Sequence, residues 1–357
     1  MLVEQPHIGS ILAQCTASQL NFLMVGEHSD LDISSLVQQA NEVGIRLAGG
    51  IFPGILHGDR HLEKGVIIKP LNVNSSFMLF QGLTQRHELP EIDETSHSAI
   101  VLLDGLTNGI PHFLESIYEK YGDNLNYIGG GCGSLSLKSQ PCIFTNDGFF
   151  QDAGLLIYVP DQLKIGVQHG WKKIEGPFLV NKSEGNVIYE INWKPAFEVY
   201  KKVVDAHSNT AIEQDNFFGI AKGYPFGIFR EGYENVVRDP IMTLDKRTLT
   251  CVGEVNNNTS VDILVGSPHD LIASAGKAAE TAVDGVDTMS VLVVDCISRV
   301  LFLEQDFSEE LEVVNSVIKQ KKDSIELEGV LSLGEISSFG EGYLEFFNKT
   351  IVVSSFY

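Results

Sequence analysis

At 357 residues the chain is longer than one hydrophobic core usually grows, and its 43% hydrophobic and 20% charged content is that of a globular protein, which excludes a disordered chain and makes two domains the expectation. Its 25 Lys and Arg stand against 47 Asp and Glu, and the net charge of -22 repels phosphate backbones and anionic bilayers, so neither nucleic acid nor a membrane is an expected partner. Cys15, Cys132, Cys142, Cys251 and Cys296 are scattered and never spaced Cys-x-x-Cys, which predicts reduced thiols in a cytoplasm rather than a disulfide framework or a cysteine zinc site.

No signal peptide is evident at the N-terminus, and no run approaches the ~20 apolar residues of a membrane helix. Residues 22–26 are predicted as a short buried strand, and Leu36, Val37, Ala40 and Val43 recur at helical spacing until Gly44 stops them. Residues 45–52, with Gly49 and Gly50 inside, form the next strand; a polar turn at Gly58 and Asp59 leads to a returning strand at 65–69. The same order recurs from Ser98: a strand at 99–104, a helix at 111–120, the glycine-rich strand 127–134, a turn at Asn146 to Gly148 and a closing strand at 153–159. This is an internal duplication. A related unit closes the chain, with strands at 290–296, 329–335 and 349–354 and a helix at 308–319 opened by Ser308. Residues 193–285 add helices at 195–206 and 272–283 and strands at 248–255 and 262–265. The expected fold is α/β with two domains, 1–190 and 191–357, each built from repeated strand-helix-strand-strand units with mixed sheets.

Two stretches invite a functional reading. In Gly166-Val-Gln-His-Gly-Trp171, His169 is either a ligand, with glycines admitting a planar group and Trp171 as a wall, or a turn residue between strands. The run Gly129-Gly-Gly-Cys-Gly-Ser134 lacks the following helix of a phosphate cradle and the Gly-Lys-Ser/Thr of a Walker loop. Its glycines, Gly130 among them, mark close backbone approach or line a pocket wall, and Cys132 as a nucleophile needs a neighbouring base. His57 and His61 fall in a turn, so no zinc site is expected.

Gly170-Trp171, Glu184-Gly-Asn-Val-Ile188, Pro195-Ala-Phe-Glu-Val-Tyr200, Cys296-Ile-Ser-Arg299, Gly334-Glu335-Ile336 and Asn348-Lys-Thr-Ile-Val-Val353, in this order, resemble the FIST domain proteins. The resemblance implies a cytoplasmic sensory module that binds a small ligand and works beside histidine kinases, receptors or cyclic-dinucleotide enzymes. Amino acids are the implied ligands of many members, and haem with nitric oxide that of one branch. On that reading His169 would hold haem iron, or Arg299 and Glu335 would take the two charged ends of an amino acid, each with a salt-bridge or turn role as its alternative. The sequence departs from the family at Lys173, Glu175 and Trp193, which flank the proposed site. The competing class is an enzyme acting on a small metabolite through Cys132 or an acid such as Asp152.

Overall fold

The computed structural model describes residues 1–93, 95–230, 234–338 and 344–357. The chain forms two α/β domains of strand-helix-strand-strand units with mixed sheets, and the three predicted units share one plan. In each, two parallel strands flank a helical crossover. Leu20–Gly26 pairs with Arg46–Phe52 across the helix Ile33–Glu42, and Ser98–Asp104 with Asn126–Cys132 across Ile110–Tyr121. Ser290–Cys296 pairs with Glu328–Ser332 across Ile297–Leu303 and Phe307–Lys321. A return strand, Val66–Pro70, Ala153–Val159 or Ile351–Phe356, then pairs antiparallel with the first.

Local chemistry supports these elements. The strands Leu20–Gly26 and Ser98–Asp104 are buried throughout, which the apolar runs 22–26 and 99–103 within them require. The helix Ile33–Glu42 buries Ile33, Leu36, Val37 and Ala40 on one face, and Asp32 caps it by accepting from Ser35 N at 3.0 Å. Ser308 is not the cap of its helix. That helix starts at Phe307 after Asp306, and Ser308 lies inside its first turn with its hydroxyl donating to the Gln305 carbonyl.

One glycine occupies the same register in all three parallel pairs: Gly49 opposite Leu23, Gly129 opposite Val101 and Gly329 opposite Val293. A Cβ on these residues would lie 2.0, 1.7 and 2.2 Å from the carbonyl oxygens of Leu23, Val101 and Val293, so the glycine-rich strands reflect backbone packing. Gly129→Ala is expected to destabilise the fold by about 3 kcal/mol or more. Gly219→Ala, in a helix with open space around it, is expected to be neutral or slightly stabilising; urea midpoints compare the two.

The hairpin after each glycine-rich or second parallel strand leaves its own unit. Gly54–His57 with Arg60–Leu62 joins Glu328–Ser332 of the third unit, and Ile143–Thr145 with Gly148–Phe150 joins Arg46–Phe52 of the first. Glu335–Ser338 with Leu344–Phe347 joins Asn126–Cys132 of the second. The exchange closes a ring, and hydrogen bonds cross residue 190 in both directions. Phe22, Ile128, Cys132, Val294 and Val330 share one core as a result.

The third unit carries an insertion between Leu163–Gln168 and Ser290–Cys296. There Lys172–Glu184, Thr259–Val265, Phe226–Ile228, Val236–Met242, Leu249–Val252 and Val187–Ile191 bond in turn, and the last returns to the first, closing an antiparallel ring. The helix Ala196–His207 packs into its core through Phe197, Tyr200 and Val204. Most of these strands escape the sequence pattern, because Arg238, Asp239 and Pro240 interrupt the apolar run of Val236–Met242, and two register shifts interrupt the pairing of Lys172–Glu184 with Thr259–Val265.

Candidate functional site

The carboxyl ends of Ser98–Asp104 and Ser290–Cys296 face one cavity of about 700 Å³, and Val236–Met242 and Leu249–Val252 of the insertion fold over it. Such strand ends are where α/β sheets hold ligands. The N-terminal half contributes residues 105–111 with Leu135 and Leu137; the C-terminal half contributes Arg238, Asp239, Gly253, Ser298 and Asn348.

The polar end carries an uncommon set of groups. Arg238 is buried at 8% exposure; its Nε donates to the Glu254 carbonyl at 2.9 Å, and its Nη1 to the carbonyls of Val237 and Phe346 at 3.0 and 3.1 Å. Among the described residues no carboxylate forms an ion pair with it, and burial holds its pKa below the usual arginine value. Asp239 Oδ2 lies 3.1 Å from Lys349 Nζ, while its Oδ1 accepts no hydrogen bond from the described residues. Burial raises the Asp239 pKa against the pull of Lys349. Asn348 Oδ1 is likewise buried without a donor. Gly253, at φ +80, keeps the space between these groups open: a Cβ there would lie 3.0 Å from Arg238 Nε and 3.1 Å from Asn348 Oδ1. A buried cation without an ion pair, beside two acceptors without donors among the described residues, suits a ligand bearing both an anionic and a donating group.

None of the candidate ligand residues His169, Gly170, Trp171, Gly130, Cys132, Arg299 and Glu335 lines this cavity, although Asn186, Cys296, Ser298 and Asn348, from the strings that carry the family resemblance, do. His169, Trp171 and Arg299 instead meet in the packing beside it. His169 Nδ1 accepts from Trp171 N at 2.8 Å, its Nε2 faces Glu234 Oε2 at 2.9 Å, and its carbonyl accepts from Arg299 Nη1 at 2.7 Å. Haem iron needs an imidazole nitrogen to itself; His169 Nδ1 is bonded to Trp171, while the buried Nε2 lies close to Glu234 without forming a hydrogen bond. Trp171 Nε1 donates to the Lys349 carbonyl at 3.2 Å and its ring lies under Lys349 Nζ at 4.9 Å. Gly170, at φ +81, lets this turn press against the helix Pro268–Val283, where a Cβ would lie 2.5 Å from Ser274 Oγ.

Arg299 is fully buried and uses all its donors. Nε and Nη2 reach Glu310 at 3.0 and 2.5 Å, and the remaining N–H groups reach the carbonyls of His169, Lys349 and Leu271. Asp295 lies 3.4 Å from Arg299 Nε, and burial followed by the Glu310 charge pushes its pKa well up. Glu335 pairs in register with Gly130 and accepts from Ser332 Oγ at 2.7 Å and Thr350 N at 3.2 Å. Burial pushes its pKa up to about 8. Gly130 is packed against Ser332 and Val294.

Cys132 Sγ fills the space beside Gly50, where a Cβ would lie 2.4 Å from it, and burial raises its pKa well above the usual thiol value. Such a thiol is a poor nucleophile. In the native protein Cys132 is expected to resist a thiol reagent that labels it after unfolding, as mass mapping of the labelled peptides would show. Asp152 supports the cavity's edge, accepting from Thr107 Oγ1 and donating its N–H to Asp104 Oδ2 at 2.9 Å. Among the described residues no group of three or more His, Cys, Asp or Glu is placed to hold a metal ion, and no helix is long and apolar enough to cross a membrane.

Asn348 opens a string of the family resemblance but was given no role, and the polar cavity residues that the sequence did not single out are Arg238 and Asp239. Their signal was a charged pair inside an apolar run, Val236-Val-Arg-Asp-Pro-Ile-Met242, which marks charges due for burial. A family model described as the FIST N domain matches residues 19–194, and one described as the FIST C domain matches residues 196–338. A comparison with curated proteins finds no match to this chain.

Proposed function

The chain belongs to the FIST family, an N domain followed by a C domain of a kind that is generally sensory, and on that premise we propose that it senses a free amino acid held in the cavity between its two halves. The observation that carries this reading is the pairing of Arg238, a buried guanidinium without an ion pair among the described residues, with the unsatisfied acceptors Asp239 Oδ1 and Asn348 Oδ1. The guanidinium suits the ligand's carboxylate, and the two acceptors suit its ammonium. Because residues 105–111 and Leu135 come from one half and Arg238 and Ser298 from the other, ligand and both halves share one set of contacts. Occupancy then changes how the halves meet, and a separate protein, such as a histidine kinase or a cyclic-dinucleotide enzyme, reads that change.

The test is a thermal-shift and calorimetric screen of the full chain against the common amino acids. A binding ligand at 100 times its Kd adds about 2.7 kcal/mol to stability. A folded protein that responds to none of them overturns the reading. A Soret band in protein purified from haem-replete cells, lost in His169→Ala with the fold intact, would replace the amino acid with haem.

A further inference from the structure

Resting on that reading of the cavity, we infer that the site selects bulky apolar amino acids, such as leucine, phenylalanine and tryptophan, over small or charged ones. The cavity's 700 Å³ is of the size that encloses a drug-sized ligand, so glycine or alanine anchored at Arg238 would leave most of it unfilled. Ile110, Ile241, Ile297, Leu333 and Phe346 give the cavity a largely apolar lining beside its polar groups. Two of the polar lining groups are engaged elsewhere. Thr107 Oγ1 donates to Asp152, with the Asn108 carbonyl 3.1 Å away, and Asn186 Nδ2 donates to the Cys251 carbonyl at 2.9 Å. A charged ligand side chain would therefore lose water against a mostly apolar lining that offers it few partners.

The rim gives a second, independent indication. Leu135, Leu137, Phe218, Met242 and Leu301 all line the cavity, yet remain 39%, 62%, 42%, 41% and 40% exposed. They come from both halves of the chain, and an exposed apolar ring of this kind marks a place where another apolar group is received. A large apolar side chain seated at Arg238 reaches toward this ring and gives it something to cover.

The experiment is calorimetric titration of the full chain with alanine, leucine, phenylalanine, tryptophan, aspartate and lysine. Affinity is expected to rise at least tenfold from alanine to the best of the bulky apolar ligands, with aspartate and lysine weaker than alanine. Met242→Asp, at a half-exposed rim position, is expected to weaken binding of that ligand at least tenfold while leaving the melting midpoint of the free protein unchanged. If alanine or aspartate binds as tightly as phenylalanine, the selectivity falls while the amino-acid site stands. If Met242→Asp binds the ligand like the parent protein, the apolar rim has no part in recognition and the inference is overturned. Absence of binding by every amino acid overturns the inference together with the reading beneath it.

Discussion

Arg299→Met is expected to destabilise the protein by about 3–5 kcal/mol, measured as a fall in the urea midpoint at unchanged slope. The side chain is fully buried, and its five N–H groups hold the Glu310 carboxylate and the carbonyls of His169, Lys349 and Leu271. Methionine replaces much of the volume but none of the donors. Glu310 is then left buried beside Asp295 without a cation, and three carbonyls lose a partner. The double variant Arg299→Met/Glu310→Met is expected to recover part of the loss, because removing both charges relieves the uncompensated carboxylate. It does not recover all, since the three carbonyls stay orphaned. A single variant as stable as the parent would show that this network contributes little.

Arg238→Met is expected to abolish the stabilisation that the ligand gives, with an affinity loss of roughly 30-fold or more, corresponding to the 2–5 kcal/mol seen when one partner of a buried, hydrogen-bonded charge pair is removed. The reasoning differs from that for Arg299. Arg238 donates to the carbonyls of Glu254, Val237 and Phe346 and feels the charges of Glu345 and Glu254, but forms no ion pair among the described residues, so a ligand carboxylate would be its first direct ionic partner. Its removal is therefore expected to affect the fold less than Arg299→Met does, and binding more. Arg238→Lys should fall between, keeping the charge while losing the planar fork. Calorimetry on both variants, beside their melting midpoints without ligand, separates the two effects. Ligand binding by Arg238→Met at parental affinity would remove the carboxylate anchor from the proposed function.

Both arginines illustrate how far the sequence reaches. Arg299 sat in a string shared with the FIST family and suggested a ligand carboxylate, whereas in the fold its donors are all taken by Glu310 and three carbonyls. Arg238, in a segment where periodicity gave no strand, is the one that lines the cavity. Whether a guanidinium is engaged or open depends on carbonyls and carboxylates 11 to 130 residues away along the chain, and no local pattern encodes them. His169 follows the same logic, since its ring faces Glu234 across a distance in sequence that spacing does not reveal.

The sequence by itself determined the repeated units and their α/β character, because those follow from properties of short windows. Apolar runs bury as strands, helical spacing buries one face of Ile33–Glu42 and Ile110–Tyr121, and only glycine tolerates the approach of Gly129 to the Val101 carbonyl. Tertiary structure alone decided which sheet each hairpin completes and where the cavity opens. Backbone donors and acceptors are the same in every strand, so the strand pairs Gly54–His57 with Arg60–Leu62, Ile143–Thr145 with Gly148–Phe150, and Glu335–Ser338 with Leu344–Phe347 carry no local mark of their partner. The partner is set by which exchange buries all three units at once, and the cavity is the space left where the insertion closes over two strand ends.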